Sequence, residues 1–400
     1  MLEGKTVVLG VTGSIAAYKM ANVASMLVKM GAEVHVVMTE NAVNFINPIT
    51  FETLTNHKCL VDTFDRNFQF HVAHVSLSKQ ADVFLVAPAS ANIIGKMANG
   101  IADDMLSTML LAAKCPILVS PAMNTNMFEN KIVQNNLEKL KQYGITVIPP
   151  EVGRLACRDV GAGKMPREEV LVDHVLYEIA KEKDMAGKKV LVTAGPTRES
   201  IDPVRFITNH STGKMGYAIA RQAMLRGADV TLISGPVELA PPPFVKTVYT
   251  ESAEDMFQAV TAESENADMI VMAAAVADYT PVETADHKIK KSEGDMSVAL
   301  TRTRDILAYL GEHKKEGQVL CGFSMETEQV LENSRQKLLK KNADMIAANS
   351  LREAGAGFGT DTNHLTLITG EDTRDVPMMA KEEAADELLS ELLKIFPKSC

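Results

Sequence analysis

The chain has 400 residues, 46% apolar and 23% charged, which fits a globular protein of two or three domains. Lys plus Arg number 41 against 51 Asp plus Glu, a formal charge of −10. That balance argues against a general nucleic-acid binder, yet a few lysines and helix N-termini can still hold small anions. Aromatics are 5% with no Trp, so a large aromatic recognition surface is not expected. No apolar run has the length of a membrane span. The five cysteines, Cys59, Cys115, Cys157, Cys321 and Cys400, are scattered and include no Cys-x-x-Cys pair. A disulfide framework and a thiolate zinc site are therefore not expected. The start, Met1–Leu9, lacks the layout of a signal peptide. The expected location is cytoplasmic, with no membrane and no nucleic-acid partner.

In chain order, the pattern begins twice. Gly4-Lys5-Thr6-Val7-Val8-Leu9-Gly10 and Gly187-Lys188-Lys189-Val190-Leu191-Val192-Thr193 each supply a short β-branched run and a Gly-containing loop. Each continues through a helix-like stretch to Gly-Ala-acid-Val, at Gly31–Val34 and Gly227–Val230. Strands are expected next, over Val34–Met38 and Val230–Ile233. The echo extends to Ala81–Ala87 and Ala267–Ala273, apolar strands of the kind buried on both faces. This pattern predicts an α/β protein of two Rossmann-like domains with parallel doubly wound sheets, residues 1–186 and 187–400. The boundary is expected at a charged helix over Val170–Lys183 and the turn Asp184–Gly187.

Ligands of open α/β sheets bind at the C-terminal ends of strands, so those ends are where candidates are sought. The first loop, Gly10-Val11-Thr12-Gly13-Ser14-Ile15, is neither Gly-x-Gly-x-x-Gly nor a Walker loop. Gly13 and Ser14, opening a helix after a strand, could hold one phosphate or simply make a tight strand-to-helix turn. Pro88-Ala89-Ser90-Ala91-Asn92 is expected to follow a strand and to offer a hydroxyl and an amide to a heteroaromatic ring edge. Ser107 and Thr108 are expected in a helix, where the plain alternative is a cap. Ser120-Pro121-Ala122-Met123-Asn124 delivers a second amide. His74 and the Gly-rich flap around Cys157 complete the first set; a lone His or Cys is more often structural.

In the second half a long polar insert runs from Thr193 to Gly216. Ser211, Thr212 and Gly213 precede a helix expected over Lys214–Leu225, and can cap it or hold phosphate oxygens. Three small residues after a strand ending near Met272, Ala273-Ala274-Ala275, would let a flat base or sugar approach the backbone. Asp278 could take a ribose hydroxyl, a base amino group or Mg²⁺. Lys288-Ile289-Lys290-Lys291 reads by default as a solvated edge. Lys337 and Lys341, four apart, share a helix face and could grip a triphosphate, although a soluble helix face reads the same way.

Taken together and in order, Gly-Ser-Ile, Pro-Ala-Ser-Ala-Asn, Pro-Ala-Met-Asn and Ala-Cys-x-Asp-x-Gly-x-Gly-Lys-Met resemble the flavin-dependent cysteine decarboxylase family over residues 4–182. The second half carries Ala-Gly-Pro-Thr-Arg-Glu, Arg-Phe-Ile-x-Asn-His-Ser-x-Gly-Lys-Met-Gly, Ala-Ala-Val-Ala-Asp-Tyr, Lys-Ile-Lys-Lys and Gly-Phe-x-x-Glu-Thr. These resemble phosphopantothenate–cysteine ligases over residues 187–395. The whole chain is similar to the bifunctional bacterial enzymes of coenzyme A biosynthesis.

The first resemblance implies FMN bound by Gly13, Ser14, Ile15, Pro88, Ser90, Asn92, Ser107 and Thr108, and trimeric packing with flavin sites at subunit interfaces. It implies that His74 assists oxidation of the substrate thiol, that Asn124 binds the substrate carboxylate, and that Cys157 returns a proton. The chemistry is coherent. A cysteine carboxylate lacks an electron sink until oxidation to a thioaldehyde provides one; CO₂ can then leave as an ene-thiolate forms. A thiol with a pKa near about 8.5 is a plausible acid for the last step.

The second resemblance implies that 4′-phosphopantothenate attacks the α-phosphate of CTP, giving an acyl-cytidylate and pyrophosphate, and that cysteine then displaces CMP. Lysines and Mg²⁺ would spread the developing charge. Nucleotide contacts are implied at Met272, Ala273, Ala274, Asp278, Lys288, Ile306, Leu307, Ala308, Tyr309, Phe323, Lys337 and Lys341. Asn209 is implied at the acyl-cytidylate, and dimeric contacts are implied for the ligase half; the metal ligands are left open. The sequence departs from the two patterns at Arg158, where glycine is usual, at Thr280, and at Thr303-Arg304-Asp305, where Asn-Pro-Asp is frequent. Two rival readings are a regulatory flavoprotein without turnover and a flavin prenyl transferase. His74, Asn124 and Cys157 together with a ligase half argue against the first, and the flap cysteine and the attached ligase half against the second.

Overall fold

The computed structural model describes residues 1–62, 73–154, 160–290, 296–326, 329–350, 357 and 359–397; the side chains of 73–75, 326, 330 and 350 lie outside that set. The chain divides into two compact units, Met1–Lys181 and Glu182–Cys400.

Unit 1 opens with β1 (Thr6–Val11), α1 (Lys19–Lys29) and β2 (Glu33–Met38). Next come α2 (Pro48–Thr55), α3 (Ala73–Gln80) and β3 (Val83–Ala89). Then follow α4 (Ala91–Asn99), α5 (Met105–Ala112), β4 (Ile117–Pro121), α6 (Thr125–Phe128), α7 (Lys131–Gln142) and β5 (Thr146–Val147). The unit ends in a hairpin, β6 (Glu151–Arg154) and β7 (Val160–Lys164), and the helix α8 (Glu168–Ile179). The main sheet is parallel, in the order β2-β1-β3-β4-β5. Every residue of β3 is buried, as a strand covered on both faces requires. Phe84, Val86, Ile93, Leu106, Met109 and Val119 form the heart of its core.

Two expectations shift here. Pro88 and Ala89 lie inside β3 rather than after it. Proline is disfavoured in a central strand, and the irregular β3–β4 register between Val86 and Ala89 accommodates it. The boundary helix ends at Ile179 and not at Lys183. The residues beyond it are fastened to unit 2: Lys183 Nζ donates to the Leu225 carbonyl at 2.6 Å and Met185 N to the Arg226 carbonyl at 3.0 Å.

Unit 2 runs β8 (Lys189–Ala194), β9 (Arg198–Ser200), β10 (Phe206–Thr208), α9 (Lys214–Leu225), β11 (Asp229–Ser234) and β12 (Lys246–Tyr249). It continues with α10 (Ala253–Ser264), β13 (Met269–Met272), β14 (Tyr279–Pro281), β15 (Leu300–Arg302) and α11 (Ile306–Glu312). The last elements are β16 (Val319–Glu326), α12 (Val330–Lys340), β17 (Met345–Ser350), β18 (Thr362–Thr369), β19 (Thr373–Ala380) and α13 (Lys381–Ile395). The eight-stranded sheet has the order β12-β11-β8-β13-β16-β17-β18-β19.

That sheet is mixed: parallel as far as β17, antiparallel at β17–β18 and β18–β19. A parallel neighbour needs a crossover of about a dozen residues or more. Only residues 351–361 join β17 to β18, and only 370–372 join β18 to β19. Helix α9 lies hard against β8 because Gly216 has no side chain; a Cβ there would stand 2.6 Å from Ala194 Cβ and 2.7 Å from the Thr193 carbonyl. Among the described residues no helix is long and apolar enough to cross a membrane.

Candidate functional sites

In both units the strand order reverses beside the first strand, and that switch point is where an open α/β sheet leaves a crevice. In unit 1 it lies between β1 and β3. Thr12, buried just past β1, links the two strand ends. Its hydroxyl donates to the Pro88 carbonyl at 2.6 Å and accepts from the Ser90 amide at 3.0 Å. Sequence reasoning passed over Thr12, whose partners lie 76 and 78 residues away. Gly13 packs on Asn41, leaving 2.9 Å from a would-be Cβ to Asn41 Cβ. Ser14 caps the short turn Ile15–Tyr18, and Ile15 is exposed. Ser90 caps α4, and Asn92 in its first turn is exposed.

Ser107 is buried and already engaged. It forms a capping box with Asp104, whose carboxylate accepts from Ser107 N and Oγ at 2.8 Å each. Burial pushes the Asp104 carboxyl up, but the Lys96 ammonium at 2.7 Å and the Ser107 bonds outweigh it, so the group sits below the ordinary carboxylate range. Thr108, the next residue of α5, is half-buried.

Asn124 caps α6, its Oδ1 accepting from Asn126 N at 2.9 Å. The β6–β7 hairpin docks on this loop through its glycines. Met123 N donates to the Gly163 carbonyl at 3.0 Å, and Gly163, at φ +123°, would place a Cβ 2.4 Å from the Met123 carbonyl oxygen. Cys157 and Arg158 fall between those two strands, outside the described residues. The backbone of His74 belongs to α3, and its side chain is outside the described set.

In unit 2 the switch point lies between β8 and β13. Backbone bonds lace the loops together: Ala275 N donates to the Gly195 carbonyl at 2.9 Å. Ala274 N donates to Thr193 Oγ1 at 3.1 Å and Ala277 N to Thr197 Oγ1 at 3.0 Å. The Asn209 side-chain amide donates to the Ala275 and Val276 carbonyls at 3.0 and 3.3 Å.

A cavity of about 1150 Å³ opens there. Among the expected residues, Asn209, Met272, Ala273, Ala274, Asp278, Ile306, Leu307, Phe323, Lys337 and Lys341 line it. Ala308, Tyr309 and Lys288 do not. Ala308 N is bound to the Asp305 carboxylate at 2.9 Å. Tyr309 packs edge-on against Phe257 at 4.9 Å and stacks on His313 at 4.1 Å. One helical turn cannot aim four consecutive side chains at one cavity.

Lys288 is exposed on a segment that Asp202 and Arg205 clamp. Asp202 accepts from Ile289 N at 3.1 Å and from Arg205 Nε at 3.0 Å, while Arg205 Nη2 donates to the Ile289 carbonyl at 3.0 Å. The Arg205 guanidinium holds the Asp202 carboxyl far below the usual carboxylate range.

Of the Ser211–Gly213 group, Gly213 caps α9 in the left-handed conformation, φ +79°, with no side-chain cap bond. The Ser211 hydroxyl accepts from Gly213 N at 3.3 Å. Among the described residues no side chain caps the first amides of α9, which begin at the cavity, an arrangement that suits an anion.

The lining of an acidic protein turns basic here. Lys214, Arg302, Arg304, Lys337, Lys340, Lys341 and Lys381 face two carboxylates, Asp278 and Asp305. Asp305 is paired with Lys341. Burial raises its carboxyl, but Lys341 and the Ala308 amide hold it low on balance. Lys337 Nζ donates to the Phe323 carbonyl at 2.8 Å. The departures have work within the wall: Thr303 Oγ1 donates to the Ala277 carbonyl at 2.6 Å, Arg304 pairs with Glu254 and lies over the Phe257 ring, and Thr280 belongs to the β14–β15 ladder.

Among the cavity residues that escaped the sequence reading are Lys381, Asn363 and Asn349. Lys381 is buried, with its ammonium donating to the Gly357 carbonyl at 3.1 Å and to the Thr360 carbonyl. Burial and the nearby Lys214 depress it, with Asp361 opposing. Asn363 is buried on β18. Asn349 is buried at the end of β17, and its Oδ1 has no hydrogen-bond partner among the described residues. An Ala-Asn-Ser strand end was a signal of the kind used for Asn92; nothing local marks Lys381.

Comparison with known proteins finds family matches to both units and full-length relatives. The Flavoprotein family matches residues 1–180, and the family described as DNA/pantothenate metabolism flavoprotein C-terminal domain matches residues 185–396. The coenzyme A biosynthesis bifunctional protein CoaBC of Bacillus subtilis (strain 168) is 46% identical over 98% of this chain and 97% of its own. Its counterpart in Escherichia coli (strain K12) is 40% identical over 98% of this chain and 97% of its own. A crystal structure of the C-terminal domain of a CoaBC protein is 45% identical, covering 53% of this chain and 96% of that one, with a TM-score of 0.46. The chain belongs to the family of bifunctional coenzyme A biosynthesis proteins, with a flavoprotein unit first and a pantothenate-metabolism unit second.

Proposed function

We propose that unit 2 joins 4′-phosphopantothenate to cysteine with CTP and Mg²⁺, and that unit 1, with FMN, decarboxylates the product to 4′-phosphopantetheine. The observation that carries the ligase reading is the cavity itself. A neutral Ala273–Ala277 wall, uncapped amides at the start of α9 and lysines from three elements meet at one switch point. The small wall suits a flat base and sugar. The amides and Lys337, Lys341 and Lys214 suit phosphate oxygens and the charge that builds as pyrophosphate leaves. Asn209, tied by its Nδ2 to the same wall, is assigned to the acyl-cytidylate. Mg²⁺ would arrive with the triphosphate, and of the two cavity carboxylates Asp278 is the one with no lysine partner among the described residues.

In unit 1 the residues fit a flavin. The switch point of this strand order is the place where FMN sits in flavodoxin-like sheets. Exposed Ile15 and Asn92 flank it, and Thr12 fixes both walls. The Ser107 hydroxyl is held by Asp104 at the start of α5, and Ser107 and the neighbouring Thr108 are both assigned to the flavin. Bound FMN would supply reversible two-electron oxidation of the substrate thiol. Asn124 is assigned to the substrate carboxylate, His74 to the thiol proton and Cys157 to the final protonation. Ile15, Tyr18, Val43 and Phe45 are exposed apolar side chains after β1 and β2, which supports subunit packing on this edge and a trimer of unit 1. Dimeric contacts of unit 2 and a cytoplasmic location belong to the same reading.

Pyrophosphate release tests the ligase assignment. With phosphopantothenate and cysteine present, CTP should support it well above ATP. Equal rates with the two nucleotides would remove CTP from the proposal, and no release with either would remove the ligase.

A further inference from the structure

Away from both switch points, the outer edge of the unit 1 sheet carries a compact group that neither reaction uses. Glu33 and His35 are two residues apart on β2, the edge strand, so their side chains share one face. Helix α2 ends at Asn56 in the left-handed conformation, φ 57°, which turns the chain back toward β2. The returning segment is pinned where Leu60 N donates to the Val36 carbonyl at 2.9 Å and Met38 N to the Leu60 carbonyl at 2.8 Å. His57 N is held by Thr55 Oγ1 at 3.3 Å. His57 is thus delivered beside His35, with ring centroids 4.2 Å apart.

We propose that Glu33, His35 and His57 form a three-ligand site for a divalent cation of the zinc class. Glu33 Oε1 lies 3.1 Å from His35 Nε2 and 3.8 Å from His57 Nε2, and one ligand atom from each residue lies within 4.8 Å of the others. A tetrahedral ion with bonds of about 2.0–2.1 Å spaces its ligands about 3.3–3.4 Å apart, between those two values. Two imidazoles and one carboxylate are a borderline donor set, matched to Zn²⁺ or Co²⁺ rather than to Mg²⁺ or Ca²⁺. The ion replaces the proton shared by His35 Nε2 and Glu33 Oε1, and water fills the fourth position. His57 is half-exposed, so its ring can turn toward the ion without repacking the core. The bound ion ties the return segment to the sheet edge.

The test uses the full chain, purified without a polyhistidine tag and stripped with EDTA, and titrated with ZnCl₂ and separately with CoCl₂. The expected result is one Zn²⁺ per chain, with His57→Ala and Glu33→Gln each weakening affinity by roughly tenfold or more. Co²⁺ should give tetrahedral d–d bands at wavelengths beyond the flavin absorption, and Zn²⁺ should raise the melting temperature of the parent chain but not of His57→Ala. Flavin content and far-ultraviolet circular dichroism check that both variants fold. The proposal is overturned if the parent chain takes up neither ion at micromolar concentration, or if both variants bind as the parent does.

Discussion

Asn209 reaches from the polar insert that follows β10 to the strand end after β13, where its amide donates to the Ala275 carbonyl at 3.0 Å. That bond holds a mobile type of side chain against the wall assigned to the nucleotide. Asn209→Asp replaces the donor with a carboxylate facing two carbonyls. The ligase rate should fall on the order of a hundredfold, as when a charge-stabilising donor is removed. Decarboxylation of supplied phosphopantothenoylcysteine should not change. Pyrophosphate release and CO₂ release measured on the same preparation give both readings; an unchanged ligase rate would discard the assignment.

Thr12 makes a prediction of the opposite kind, on the flavin side. Thr12→Val keeps the volume but strands the Ser90 amide and the Pro88 carbonyl, both bonded to the hydroxyl in the native chain. The expected cost is about 1–3 kcal/mol, with the loss concentrated where the two loops meet. The ratio of flavin to protein absorbance after reconstitution should drop, and a wild-type ratio would show that Thr12 does not shape the site.

Gly216→Ala should separate α9 from β8. A methyl group 2.6 Å from Ala194 Cβ has no room, and overpacking of this kind costs about 1–3 kcal/mol. Because α9 starts at the cavity, KM for the nucleotide should rise more than kcat falls. Urea unfolding combined with ligase kinetics reads both effects, and a stable variant with native kinetics would contradict the packing argument.

Asp104 sets a pH window. Its folded carboxyl lies below the ordinary value, because Lys96 and Ser107 outweigh the cost of burial. Such a group stabilises the fold fully above its unfolded value, about 3.9, and loses that contribution as pH falls through the lower folded value. Asp104→Ala should therefore cost about 1 kcal/mol near neutrality, the usual worth of a helix cap, and less below pH 4. Denaturant midpoints at pH 7, 4 and 3 measure the difference; a cost that is flat with pH would rule out the charged pairing.

Much of this architecture was legible because its elements are locally self-consistent. The sequence reading placed α9 over Lys214–Leu225, where the structure has it, since Gly213 and Gly227 bracket an apolar helical face. The strands delivering Asn124 and Ala273 were readable as apolar runs ending in small or polar residues. Other features depend on partners distant in sequence. Pro88 looks like a loop residue until the irregular β3–β4 register accommodates it. Ile306–Tyr309 reads as one motif, yet helical geometry sends Tyr309 to Phe257 and leaves Ile306 and Leu307 on the cavity. Lys381 joins the cavity only because β18 and β19 fold back antiparallel and set the start of α13 beside Lys214. The Thr12 bridge spans a separation of 76 residues and has no local signature beyond a hydroxyl.

The most direct measurement supplies the full chain with 4′-phosphopantothenate, carboxyl-labelled cysteine, CTP, Mg²⁺ and FMN, and follows pyrophosphate, labelled CO₂ and 4′-phosphopantetheine together. The account predicts that all three form in equal amounts, and that Cys157→Ser still releases pyrophosphate and CO₂ while failing to complete 4′-phosphopantetheine. Pyrophosphate without CO₂ in the parent chain, or CO₂ from cysteine without any nucleotide, would contradict two linked sites acting in that order.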